Sequence, residues 1–121
     1  MIKKIKILLT EDKKINQDII LGLLEDSNFE IDIANNGKEA VEKCKYINYS
    51  LILMDIDMPI MNGYEATEKI RVLNENIPII ALTAHISSDA INRSIEVGMN
   101  EYLSKPIEPK RLHETFFRYI I

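Results

Sequence analysis

The chain has 121 residues and a mass of 14.0 kDa, enough for one hydrophobic core. Hydrophobic residues at 46% and charged residues at 28% describe an ordinary globular chain, and no apolar run is long enough to make a spanning helix. The single cysteine, Cys44, excludes an internal disulfide and a thiolate metal cage. Fifteen Lys and Arg against nineteen Asp and Glu leave a formal net charge of −4, which disfavours binding a phosphate backbone. The local excess of Lys3, Lys4, Lys6, Lys13 and Lys14 reads as solvated surface. The start, Met1-Ile2-Lys3-Lys4, runs straight into patterned sequence without a secretory signal, so the expected location is the cytoplasm, with no membrane or nucleic-acid contact.

Along the chain, short apolar runs alternate with stretches of helical period. Ile5 to Leu9 forms the first strand. Ile15, Ile19 and Leu23, with Ile20 and Leu24 beside them, mark the first helix. Ile31 and Ile33, alternating with Glu30 and Asp32, give a second strand that looks like a sheet edge. Ala40, Val41, Cys44 and Ile47 mark the second helix, with Cys44 in the core on the Val41 face. Leu51 to Met54 is a fully apolar third strand. Ala66, Ile70 and Leu73 mark the third helix, and Ile79 to Leu82 the fourth strand after Pro78. Ile91 and Ile95 mark the fourth helix, stopped by Gly98. Tyr102 and Leu103 form a short fifth strand, a candidate second edge. Leu112, Phe116, Tyr119 and Ile120 mark the last helix, with Pro109 in its first turn. Five strand–helix alternations argue for a doubly wound α/β fold, and strands without a wet side argue for a parallel sheet covered on both faces.

Such a sheet places every strand's carboxyl end on one edge, where ligands of these folds bind. The first strand then delivers Glu11 and Asp12, the third Asp55, the fourth Thr83, and the fifth Ser104, Lys105 and Pro106. Converging carboxylates repel, so the site wants a cation or a proton. Hard oxygen ligands favour Mg²⁺. A lysine and a threonine beside them suit phosphoryl transfer, which needs charge neutralisation and a hydroxyl donor. Asp55, at the end of the most apolar strand, is the candidate nucleophile, and a carboxylate that takes a phosphoryl group becomes an aspartyl phosphate.

Four stretches carry a resemblance over the whole length: Glu11-Asp12, Leu-Met-Asp55-Ile-Asp57-Met58-Pro59 with Asn62-Gly63, Ala-Leu-Thr83-Ala84, and Lys105-Pro106. Their order and their places at strand ends resemble the receiver domain of two-component response regulators. Thr-Glu-Asp-Lys-Lys-Ile-Asn-Gln and Met-Pro-Ile-Met-Asn-Gly-Tyr-Glu-Ala-Thr resemble the receivers of hybrid histidine kinases in particular. The resemblance implies strand order 2-1-3-4-5 with five helices, the flavodoxin-like arrangement, and one receiver domain over residues 1–121. It implies that Asp55 takes a phosphoryl group from a phosphohistidine of a sensor histidine kinase or histidine phosphotransfer domain. Asp12 and Asp55 would bind Mg²⁺ directly, with the backbone carbonyl of Asp57, and Glu11 through water. Lys105 would pair with the phosphoryl oxygens, behind a cis Lys105-Pro106 bond. Thr83 would move its hydroxyl to the phosphoryl group and Tyr102 would follow. Ala84 would leave access at the rim, beside His85. The modified domain would switch the surface of the fourth helix, fifth strand and fifth helix, then hydrolyse slowly. The chain closes on its fifth helix, so an output domain is expected elsewhere, or a homodimer through that surface, in a free-standing receiver or one excised from a hybrid kinase.

Blander readings stand beside these. Asp12 is a candidate cap for the first helix, and Asn62-Gly63 reads as a turn. Tyr102 reads more often as core packing than as a switch; His85 and His113 read as surface residues. Asp55-Ile56-Asp57 also resembles the Asp-x-Asp of haloacid-dehalogenase-type phosphatases. Theirs lies on the first strand, however, and the chain has no room for a cap domain. A flavodoxin-like FMN binder needs a Ser/Thr/Gly-rich loop where this chain has Glu-Asp-Lys-Lys. The intact acidic set argues against a receiver-like module that is never phosphorylated.

Overall fold

The computed structural model describes residues 5–25 and 28–120. Lys3 and Lys4 of the basic stretch lie outside the described residues; Lys13 and Lys14 are exposed, whereas Lys6, within the first strand of the sheet, is half-buried. Ten elements alternate: β1 (Ile5–Thr10), α1 (Lys14–Leu23), β2 (Phe29–Ala34), α2 (Gly37–Tyr46), β3 (Leu51–Asp55), α3 (Gly63–Leu73), β4 (Ile79–Thr83), α4 (Ser88–Val97), β5 (Glu101–Ser104) and α5 (Pro109–Ile120). The strands form one parallel sheet in the order β2-β1-β3-β4-β5. The polar-alternating β2 and the short β5 are its edges, as their sequences imply. Every residue of β3 and β4 is buried, because helices cover both sheet faces.

Strand alternation sends side chains to two cores. Leu8, Ile52, Met54 and Ala81 meet Ala40 and Val41 of α2 and Ala66 and Ile70 of α3. Ile7, Leu9, Leu53 and Leu82 meet Ile20 of α1 and Leu112 and Phe116 of α5. Phe29 and Phe116 close the second core edge-to-face, with ring centroids 5.2 Å apart. Cys44 is half-buried against the first core rather than sealed in it, and burial pushes its thiol up to about 11. No helix among the described residues is long and apolar enough to cross a membrane.

The helices turn out rotated and trimmed relative to their apolar marks. In α1 the inward line is Gln17, Ile20 and then Leu24, so Ile15 and Ile19 stand 69% and 50% exposed. In α4 the buried residue is Ser94, whose hydroxyl donates to the Ala90 carbonyl at 2.9 Å, while Ile95 is exposed. Leu24 and Ile47 are the residues just past α1 and α2 rather than members of them. Gly98 stops α4 in the left-handed conformation, φ 103°, where a Cβ would be strained. Arg71 reaches from α3 to close that end, donating to the Gly98 carbonyl at 2.9 and 2.7 Å and to the Ile77 carbonyl at 2.6 Å.

Asn62-Gly63 is more than a turn. Asn62 caps α3, accepting from the Glu65 N–H at 2.9 Å, and Glu65 reaches back to the Asn62 N–H at 3.4 Å. Gly63 lies directly beneath Asp55: a Cβ there would fall 2.4 Å from the Asp55 carbonyl oxygen. Gly22, in α1, has nothing within 4 Å of a Cβ. Gly63→Ala is therefore expected to cost about 1–3 kcal/mol, the usual range for overpacking. Gly22→Ala is expected to gain about 0.5–1 kcal/mol from helix propensity. Urea denaturation of both variants checks the contrast; two shifts of the same sign would contradict it.

Candidate functional site

Parallel register brings the strand ends level. Thr10 pairs with Met54, Asp55 with Leu82, and Thr83 with Ser104, so the residues after each strand share one rim. The Glu11 N–H donates to the Ala34 carbonyl at 3.0 Å, extending β1 by one residue and turning Asp12 over the sheet edge. The Lys105 N–H donates to the Thr83 carbonyl at 2.8 Å and carries Lys105 in from β5. The Lys105-Pro106 bond is cis, as the sequence resemblance implies.

Glu11, Asp12 and Asp55 converge. One carboxylate oxygen from each lies within 4.8 Å of the others. Glu11 is 0% exposed and Asp55 3%. Lys105 Nζ spans them, 2.7 Å from Glu11 Oε1 and 3.1 Å from Asp55 Oδ1. Two backbone N–H groups complete the cradle: Lys13 donates to Glu11 Oε2 at 3.2 Å, and Asp57 to Asp55 Oδ1 at 3.3 Å. Asp12 does not cap α1, whose N-cap is Lys13 with no side-chain bond. Its Oδ1 is instead buried without a hydrogen-bond partner.

One ammonium cannot neutralise three carboxylates, and the protonation preferences divide accordingly. Burial would raise the Glu11 carboxyl, but the hydrogen bonds from Lys105 and the Lys13 N–H outweigh it and hold that carboxyl below its usual range. Burial and then the charge of Glu11 push Asp55 up to about 7. Burial and the Glu11 carboxylate also raise Asp12. Lys105 is half-buried, which lowers an ammonium, but Glu11 and Asp55 together raise it. The arrangement fits a hard divalent cation: oxygen donors only, a surplus of negative charge and an orphaned oxygen on Asp12.

Thr83 is buried at the end of β4, and its hydroxyl is turned onto its own loop, donating to the His85 carbonyl and accepting from the His85 N–H, both at 3.1 Å. Ala84, His85 and His113 are exposed. Tyr102 is half-buried on the edge strand against the first core. Glu11, Asp12, Asp55 and Lys105 thus come together; Asp57 touches the group through its backbone; Tyr102 stands apart on β5. Sequence reasoning missed Gln17, buried in α1, whose amide donates to the Glu11 carbonyl at 2.7 Å. The signal was a polar residue in register with Ile20 and Leu24.

The response regulator receiver domain profile matches residues 7–117. The chain is 45% identical over 118 residues to hybrid signal transduction histidine kinase I of Dictyostelium discoideum, covering 90% of this chain and 7% of that protein. The chain therefore spans a small fraction of that relative's length. It superposes with TM-score 0.90 and 34% identity on the receiver domain of sensor histidine kinase PA1611 from Pseudomonas aeruginosa PAO1, covering 98% of each. That crystal structure has a magnesium ion coordinated in its active-site cleft. The receiver domain of Saccharomyces cerevisiae Ssk1, crystallised with the histidine phosphotransfer protein Ypd1, gives TM-score 0.90 at 31% identity, over 96% of this chain and 88% of that one.

The raised Asp55 midpoint fixes a pH dependence. An unfolded aspartate titrates near 3.8 and the folded one near 7, so between these values the native state binds more protons. Stability contributed by this group falls as pH rises through that window. In EDTA, Asp55→Asn is expected to match wild type near the acid end and to exceed it at pH 8 by on the order of 1 kcal/mol. Saturating Mg²⁺ should close the gap by stabilising wild type. Urea titrations at several pH values, with and without Mg²⁺, test this; a gap that shrinks with rising pH would contradict the convergence of the carboxylates.

Proposed function

The chain belongs to the response regulator receiver family, the phosphoacceptor domains of two-component signalling, and on that premise we propose that Asp55 is its phosphoacceptor. The observation that carries the reading is the Lys105 ammonium 3.1 Å from a nearly sealed Asp55 that already shares its site with Glu11 and Asp12. An Asp55 oxygen attacks the phosphorus of a phosphohistidine protonated on its other ring nitrogen; the P–N bond breaks as the P–O bond forms, its electron pair returns to the ring nitrogen, and a neutral imidazole leaves with the proton it already held. Lys105 and the Asp57 N–H, both beside Asp55 Oδ1, face the equatorial oxygens and orient the carboxylate. Mg²⁺, held by Asp12, Asp55 and the Asp57 carbonyl with Glu11 behind them, would neutralise phosphoryl charge.

The donor is a sensor histidine kinase or a histidine phosphotransfer domain. Two exposed isoleucines on α1, Ile15 and Ile19, offer it an apolar seat; Ile19 shares a small cleft with Lys105, Pro106 and Ile107. Supporting this partner is the similarity to a receiver crystallised with a phosphotransfer protein. After phosphorylation Thr83 gives up its two bonds to His85 for the phosphoryl group, and Tyr102 on β5 follows, altering the surface of α4, β5 and α5. The unit, residues 1–121, is a stoichiometric switch in the cytoplasm with slow self-hydrolysis, read out by an attached or separate output domain or by pairing through α4 to α5.

With Mg²⁺ and acetyl phosphate, wild type is expected to gain one phosphoryl group by intact mass and Asp55→Asn none. A modified Asp55→Asn protein would sink the assignment. Thr83→Ala should still be phosphorylated yet lose the amide NMR shifts in α4 that wild type shows with a beryllofluoride adduct. Asp57→Asn should still accept the phosphoryl group, with a dephosphorylation rate changed by less than about 100-fold, because its backbone and not its carboxylate serves the site. Rapid turnover of a sugar phosphate, abolished by Asp57→Asn, would make the chain a phosphatase instead.

A further inference from the structure

Gln17 is a long polar side chain on the inward face of α1, in line with Ile20, and is 5% exposed. A buried amide is costly unless its N–H groups find acceptors. Here Nε2 donates twice, to the Glu11 carbonyl at 2.7 Å and to Asn35 Oδ1 at 2.9 Å. Asn35 is itself fixed. Its backbone N–H and Nδ2 both donate to Glu39 Oε1, at 3.1 and 3.3 Å, which leaves Oδ1 presented to Gln17. Glu39 sits in the first turn of α2, where its own N–H donates to Asn36 Oδ1 at 2.9 Å. The Glu11 peptide is thus gripped on both sides: its N–H by the last residue of β2 and its C=O by Gln17. That grip on the backbone adds to the Lys13 N–H bond to the Glu11 carboxylate, at a helix start where Lys13 makes no side-chain cap.

We infer that Gln17, seated by Asn35, is a positioning residue that holds the Glu11-Asp12 segment so that both carboxylates face Asp55. This rests on the proposed receiver site and assigns it an added part. Three like charges held close tend to spread, and the orphaned Asp12 oxygen has no bond of its own to resist that. The Gln17 bond resists it through the backbone. Without the bond the segment relaxes, the carboxylates separate, and a cation has to reassemble them before it binds. The signature is therefore lopsided. Losing a buried hydrogen bond lowers the stability of the metal-free domain, relief of repulsion offsets part of that loss, and cation affinity falls without any offset.

The test is calorimetric titration of Mg²⁺ into metal-free wild type, Gln17→Met, Gln17→Glu and Asn35→Ala, beside urea denaturation of each in EDTA. Gln17→Met keeps the length and Gln17→Glu keeps the shape; neither preserves the two donated hydrogen bonds at neutral pH. Both are expected to raise the Mg²⁺ Kd by roughly 10-fold, the lower end for residues that orient ligands from behind. Asn35→Ala, one link further out, should raise it by a smaller factor. Wild-type Mg²⁺ binding with both Gln17 variants within about twofold of it would overturn the inference, as would a loss in Gln17→Met that Gln17→Glu does not share. If Gln17→Met does not fold, Gln17→Glu and Asn35→Ala decide by the same criterion. Wild type failing to bind Mg²⁺ at all would instead overturn the underlying site reading.

Discussion

The ion pairing of Lys105 with Glu11 and Asp55 is the interaction around which the rest of the molecule is arranged. A half-buried ammonium between two buried carboxylates is worth having only when the geometry is tight and the remaining lone pairs are occupied. Backbone N–H groups of Lys13 and Asp57 occupy two of them. The third carboxylate, Asp12, is left over, and its unpartnered oxygen records the imbalance. Such a site does not stabilise the fold by itself. It is tolerated because the two apolar cores on either side of the sheet hold the strand ends in place regardless.

The face covered by α1 and α5 carries Gln17 beneath the acidic segment, with Ile15 and Ile19 exposed on α1. The opposite face is covered by α2, α3 and α4. There Thr83 is hooked onto the loop that leads into α4, and Arg71 ties the far end of α4 to α3. In the proposed switch, a new anion on Asp55 would compete with that loop for the Thr83 hydroxyl.

Much of this was legible in the sequence for a physical reason. Parallel strands buried on both faces are apolar throughout, so β1, β3 and β4 announce themselves, and the first polar residues after them must share a rim. Those rim residues are Glu11, Asp12, Asp55, Thr83 and Lys105. The rotation of the helices was less legible. Periodicity gives the spacing of an apolar face but not which line of a broad stripe meets the sheet, and in α1 and α4 that choice left Ile15, Ile19 and Ile95 outside. Gln17 shows in the sequence only as a polar residue on the inward line of α1; its partners, a carbonyl and an asparagine of the β2–α2 connection, do not show, because a backbone acceptor has no residue type. Gly63 looked like half of a turn because its close approach to the Asp55 carbonyl exists only in three dimensions.

Asp55 is a buried carboxyl that its neighbours make reluctant to ionise and that Lys105 pairs with. A ¹³C NMR titration of the Asp55 side-chain carboxyl in metal-free protein tests it directly. The expected midpoint is raised to about 7, falling when Mg²⁺ is added and falling when Glu11 is replaced by Gln. A midpoint near the ordinary 3.8, indifferent to both, would show that the carboxylates do not meet and that the site described here does not exist in solution.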